Sequence, residues 1–336
     1  MTLGKLGFCC SWISPTGDQA AEALLNTKTT TITSLSKMTK GNAMARLLNM
    51  VDANLQTLER MITHVSMMPD EKKMIRFGSD ILPAYTHEVA QWVYREPAMR
   101  EIMETGFARV GQIAKDNNIR ITFHPGQYCV LNSVNEATYI RAVAEFEYHV
   151  DMMRMMGLAT GWHPLGCGIN IHTGSRAGGI IGLINGINGL SDDAKNLITI
   201  ENDELSFGLT DLEYVANYAA IVLDIHHEWI FSKGHYIQPD DPRIDYILES
   251  WRGVRPVGHY AVSREDVLVG HDPDVLPDFQ ALRAQGFSLR DLRAHSDMCW
   301  SNAANEWALS HLSWMDLEVE AKFKNLARDQ LHNSRK

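Results

Sequence analysis

The sequence predicts an α/β protein, a single-domain (β/α)8 barrel of the TIM type, on three observations. Eight short β-rich runs recur along the chain, amphipathic helical stretches lie between them, and no Pro/Gly/Ser-rich linker divides it. Parallel neighbours need a crossover, usually a helix, and eight such units close into a barrel. The predicted strands are 5–8, 73–78, 119–123, 168–172, 197–201, 220–224, 256–262 and 315–320, and the clearest helices are 43–67, 97–117, 136–156, 177–191 and 211–219. With 336 residues and 45% hydrophobic content, the chain has enough apolar surface for one large core. One domain is therefore expected over 1–336. The long gap between the last two strands is read as an inserted loop near 264–293, and 327–336 as a short C-terminal tail.

The bulk numbers exclude some classes. No apolar run reaches the roughly 18 residues of a membrane span, and the stretch 6–13 lacks the basic flank and cleavage site of a signal peptide, so a cytoplasmic protein is expected. The five cysteines are odd in number and form no CxxC pair, which suits reduced packing thiols. A net charge of −10 argues at first against a nucleic-acid partner and leaves sugar chemistry open. Carboxylates that hold divalent cations, however, reverse the local sign while the remote surface stays acidic.

The informative pattern lies at the strand ends. His124 follows the third run, while His172, Glu201 and Asp224 end the fourth, fifth and sixth; His259 lies in the seventh and Glu320 ends the eighth. The C-terminal ends of barrel strands converge on one mouth, where active sites are built. Asp224 and His227 are spaced so that one turn after a strand presents both to one centre. Taken singly, a histidine after a strand is an ordinary hydrogen-bonded residue and an acidic residue there caps the next helix. Six polar side chains delivered to one rim need a common purpose, because unpaired buried charges are strongly unfavourable and metal coordination relieves them. Nitrogen and oxygen donors without thiolates suit zinc, manganese or iron.

The strings FHPGQY (123–128), NIHTGS (170–175), TIENDE (199–204), LDIHHEW (223–229), SWRG (250–253), RAHSD (293–297) and LEVEAKFK (317–324) resemble the ultraviolet-damage endonuclease family in order and spacing. The resemblance runs from about residue 6 to 326, and that family is similar in fold to endonuclease IV. It implies metal ligands at His124, His172, Glu201, Asp224, His227, His259, His295 and Glu320, with Glu201 bridging two ions and Asp80 as a further candidate. Up to three divalent cations per chain are implied, commonly manganese, with zinc, cobalt or magnesium as alternatives. Glu201, Glu320 and Lys322 are the implied catalytic residues, Lys322 placed to meet a phosphate. Gln127 and Tyr128 correspond to a wedge that enters damaged duplex DNA, and Phe8 and Arg76 to further DNA or lesion contacts. Lys233 and Arg264 are additional phosphate candidates.

Two positions depart from the family pattern. Val257 stands where members can carry a lysine two residues before the seventh-strand histidine, and Phe8 where an aromatic hydroxyl is expected. The first bears on how one metal is held, the second on lesion range. The implied activity is a nick immediately 5′ of an ultraviolet photolesion in double-stranded DNA that leaves a 3′-hydroxyl, by a monomeric enzyme with possible action at abasic sites. The competing readings are an apurinic-site endonuclease of endonuclease IV type and a divalent-metal sugar isomerase or epimerase on the same barrel, since fold alone does not choose between chemistries.

Overall fold

Eight parallel strands, each four or five residues long, close into a barrel in chain order in the computed structural model, which describes residues 3–335. They are β1 Leu6–Cys10, β2 Met74–Phe77, β3 Arg120–Phe123, β4 Gly168–His172, β5 Ile198–Glu201, β6 Ala220–Asp224, β7 Val257–Tyr260 and β8 Asp316–Val319. β1 pairs with both β2 and β8, so no edge remains. The predicted strands overlap these throughout. β2, β7 and β8 are shorter than their apolar patterns: 261–262 are buried outside the ladder, and Lys73, Gly78 and Glu320 are only partly buried beyond the strand ends.

Outward-facing strand residues pack beneath the helices. The long helix Lys40–Ser66 starts at an N-cap, Thr39, whose hydroxyl accepts from the backbone N–H of Asn42. Its buried stripe Leu47, Val51, Leu55, Leu58, Ile62 and Val65 recurs at three- and four-residue spacing. Against it lies the helix Pro97–Asp116, which approaches closely at Gly106: a Cβ there would come 2.8 Å from Leu55 Cδ1.

Three expectations change. The helix expected at 177–191 spans only Gly179–Asn188, followed by a separate helix Asp192–Leu197 that Ser191 caps. The helix expected at 211–219 is the short Leu209–Leu212, which continues as turns. The expected tail is no loose end: Lys324–Asn333 is a helix packed on β1, with Ala327, Arg328 and Leu331 buried. The segment 264–293 contains two short helices, Phe279–Ala284 and Leu289–Arg293, capped by Asp278 and Ser288. It is stitched to the barrel where Ser263 Oγ donates to the Leu292 carbonyl at 2.6 Å and Ser263 bridges His295.

The barrel interior is polar. Thr199 donates to Asn170 at 2.9 Å, Asn170 to Glu201 at 2.5 Å, and Thr122 to Glu318. Below them, Arg120 and Asp316 form a buried ion pair at 2.8 Å. Such a stack is stable only when its members satisfy one another, and it leads upward to the carboxylates at the mouth. Among the described residues, no helix is long and apolar enough to cross a membrane.

Candidate metal centre

Strand register brings the candidate residues level. His172 is paired with Glu201 across β4 and β5, Asp224 with His259 across β6 and β7, and His259 with Glu318 across β7 and β8. Asp224 ends its strand as the N-cap of the helix Ile225–Phe231, its Oδ1 accepting from the His227 backbone N–H at 2.7 Å. That first turn folds the His227 ring back over the mouth. His295 comes from the chain beyond the inserted segment, its Nδ1 3.3 Å from the Glu320 carbonyl oxygen.

Glu201 is the hub. One carboxylate oxygen lies 3.3 Å from His124 Nε2 and 4.0 Å from His172 Nδ1; the other lies 3.1 Å from His259 Nδ1 and 3.2 Å from His227 Nδ1. Glu320 joins through His259 at 3.4 Å. Two overlapping groups, His124 with His172 and Glu201, and Glu201 with Asp224 and His259, each gather their donor atoms within 4.8 Å. Glu201 belongs to both, which suits a bridging carboxylate.

The donor atoms fit divalent cations on a test of their own. Glu201 Oε1, Asp224 Oδ2, His172 Nδ1 and His259 Nδ1 are buried and have no hydrogen-bond partner among the described residues. Buried polar atoms are nearly always paired, and four orphans divided between these two groups leave donors that could hold cations.

Burial and charge shape the site together. Burial alone would raise the Glu201 carboxyl, but His259 and His172 outweigh it and hold it well below the usual carboxylate range. Burial pushes the Asp224 carboxyl up to about 7, with His227 pulling against it. Burial works to lower the His227 and His259 imidazoles; the surrounding carboxylates prevail and raise both, Asp224 first for His227 and Glu201 first for His259.

The remaining candidates divide. Gln127 and Tyr128 stand exposed on the loop after β3, Tyr128 at 83%, on the rim of a cleft of about 850 Å³ that runs over His124, His172, His227, His295 and Glu320. Lys322 is half exposed and paired with Asp297 at 3.1 Å. Asp80 is exposed in a single turn after β2 and belongs to neither ligand group. Lys233 is exposed, and Arg264 is paired with Asp266.

Two placements differ from expectation. Phe8 is fully buried, with the Arg328 guanidinium 5.2 Å above its ring, so it is not offered to DNA. Arg76 is also buried, 2.5 Å from Glu320 and 3.3 Å from Glu318. It points into the barrel because strand alternation there faces it to β8, and its charge balances carboxylates instead of meeting a phosphate. Glu318 itself was not anticipated. It lies two residues before Glu320, on the same strand face, and contacts His259 Nε2 at 3.2 Å.

Residues 4–334 match the profile of the family described as UV-endonuclease UvdE. The chain belongs to that family. As a UvdE-family protein it is an endonuclease of DNA repair, which sets aside the sugar isomerase reading. It is 27% identical over 260 residues to the UV DNA damage endonuclease of Bacillus velezensis, covering 74% of this chain and 75% of that one. With the UV DNA damage endonuclease of Bacillus cereus (strain B4264) it shares 24% identity over 315 residues, 90% of this chain and 87% of the other. The crystal structure of SacUVDE has the same fold, at a TM-score of 0.72 and 20% identity over 99% of this chain and 97% of that one.

Proposed function

We propose that this endonuclease nicks double-stranded DNA immediately 5′ of ultraviolet photolesions, leaving a 3′-hydroxyl, with divalent cations bound at the barrel mouth. The observation that carries this is the convergence of His124, His172, His227 and His259 on the two oxygens of Glu201, beneath an open cleft. His124, His172, Glu201, Asp224, His259 and Glu320 are the residues that would hold the cations, with His227 and His295 at the cleft edge. Manganese is the cation the family resemblance favours. Bound there, such cations supply Lewis acidity that activates water and neutralises charge developing at a phosphate.

The protein's own groups do the rest. Arg76 holds Glu320 from below, and Glu318 holds His259, so the donors are fixed before DNA arrives. Asn202 contributes in the same way, its amide donating to the Asp224 carbonyl at 3.0 Å while its own carbonyl accepts from His227 Nδ1 at 3.0 Å. Lys322, two residues beyond Glu320 and half exposed, would exchange Asp297 for a phosphate. Tyr128 presents a flat, exposed ring and Gln127 an amide next to it. A photolesion stacks poorly, so displacing it is easier than displacing an intact pair, and a ring that fills the gap enlarges that difference. Arg290 and Arg293 line the same cleft and bring positive charge to an otherwise acidic protein.

Plasmid nicking tests the proposal. Purified protein with manganese is expected to relax ultraviolet-irradiated supercoiled DNA and to leave undamaged DNA closed, and Glu201→Gln is expected to abolish the cut. Cutting confined to abasic plasmid would replace this reading with an apurinic-site nuclease. End mapping should show 3′-hydroxyl termini directly 5′ of the lesion.

A further inference from the structure

A second cleft, of about 490 Å³, adjoins the one over the metal centre. It is bordered by the two helices of the inserted segment, Phe279–Ala284 and Leu289–Arg293, by the loop after β5 and by the end of the helix Ile225–Phe231. Glu204 and Leu205 line both clefts. Leu205, Phe279 and Leu289 give the second cleft apolar surface, while Arg176, Lys233 and Arg283 line it as exposed cations.

Those three cations are not neutralised locally. Glu204 is the one carboxylate among the described residues lining this cleft, and its charge is already taken by Arg293, at 2.5 Å. Arg176, Lys233 and Arg283 form no ion pair among the described residues. A positive hollow therefore opens beside the centre of a chain whose net charge is −10. Its side chains are also oriented. An Nη of Arg176 donates to the Leu205 carbonyl, and one of Arg283 to the Phe287 carbonyl. A guanidinium carries five N–H donors, so each keeps several for an outside acceptor. Gln280 donates to the Lys233 carbonyl at 3.1 Å, which ties the residue before Gly234 to the inserted segment.

We infer that this second cleft grips the sugar–phosphate backbone of the DNA flanking the nick, with Arg176, Lys233 and Arg283 on its phosphates, and that the inserted segment supplies one side of the grip. The inference rests on the endonuclease reading above and adds to it a binding site away from the reacting phosphate. A strand is favoured over a free anion because the phosphates next to the one being cut are tethered to it, which raises their concentration at a neighbouring cleft. Cations there meet phosphates, and the apolar surface covers sugars; neither reads a lesion, so the site adds affinity without selectivity.

Two measurements on the full chain with Mn2+ test this. Fluorescence anisotropy of a labelled intact duplex at increasing KCl reads the phosphate contacts, and steady-state nicking of an irradiated duplex reads the chemistry. With Arg176→Gln, Lys233→Gln and Arg283→Gln combined, the slope of log affinity against log salt is expected to fall by about 0.9 for each cation removed. KM for irradiated duplex is expected to rise about tenfold or more at physiological salt, with kcat within about twofold of the parent. A combined variant with the parent's slope and KM overturns the inference, and if the parent still nicks irradiated DNA the endonuclease reading stands. A fall in kcat at unchanged KM overturns it as well, because the three residues would then act on the chemistry. A parent that nicks no irradiated DNA sinks the endonuclease reading and this inference together. Should thermal melts show that the combined variant does not fold, the three single variants decide the matter: each is expected to lose about 0.9 in slope, and three unchanged slopes overturn the inference.

Discussion

Nδ1 of His259 lies 3.1 Å from Oε1 of Glu201, and neither atom has a hydrogen-bond partner among the described residues. The two side chains come from β7 and β5, with β6 between them, and both are almost completely buried. Two donors brought this close and left unpaired describe a centre shaped around something positive.

Arg76 is the keystone under that centre. It is a buried cation between Glu318 and Glu320, so Arg76→Met leaves two buried carboxylates without their counter-charge. Breaking a buried ion pair from one side costs about 3–5 kcal/mol. Urea unfolding of metal-free protein is expected to show a loss of that order. A change below about 1 kcal/mol, the scale of an exposed pair, would mean that the pairs are not formed in solution.

Glu318 lies one strand step below the mouth and contacts His259 without joining either ligand group. Glu318→Gln is therefore expected to weaken cation binding about 10- to 100-fold, as loss of a partner that orients a ligand does, without reducing the number bound. A reduced number in Mn2+ titration would make Glu318 a ligand itself.

Tyr128 is 83% exposed at the cleft rim and belongs to neither ligand group. Tyr128→Ala is expected to keep the cation content of the parent and to lose most of the preference for irradiated over intact duplex in nicking assays. An unchanged preference would remove the wedge from the mechanism.

The barrel's lower end provides a pH test. His163 is fully buried, its Nδ1 donating to the Cys167 carbonyl at 2.9 Å, and burial pushes its imidazole down to about 3. An imidazole whose folded value lies below its unfolded value stabilises the fold above about pH 6.5 and loses that contribution as the pH falls, because the unfolded chain takes the proton first. The stability gap between the parent and His163→Asn is expected to narrow by about 2 kcal/mol between pH 7.5 and pH 5. A gap independent of pH, read from urea midpoints, would show that His163 is not held neutral.

Much of this was legible in the sequence for a physical reason: a barrel strand buried on both faces reads as an apolar run, and a polar residue at its end stands out. His124, His172, Glu201 and Asp224 are visible on that ground, and Asp224 with His227 because a capping residue and the first helical turn share one spacing. Glu318 does not end its apolar run and so does not stand out, although the two-residue period of β8 places it beneath Glu320. Arg76 and Phe8 lie near strand ends, yet both are buried. Proximity to a strand end says which rim a residue is near, whereas the alternation of faces decides whether it enters the barrel, packs under a helix or reaches solvent. The link from Glu204 to Arg293 joins the loop after β5 to the end of the helix Leu289–Arg293, distant in sequence, and only the closed barrel brings them together.

Anomalous diffraction at the manganese edge, from crystals grown with Mn2+, tests the central claim most directly. The account predicts a peak within bonding distance of both Glu201 and His259. A map with no peak at the barrel mouth, and with Glu201 and His259 instead hydrogen-bonded to each other, would contradict it.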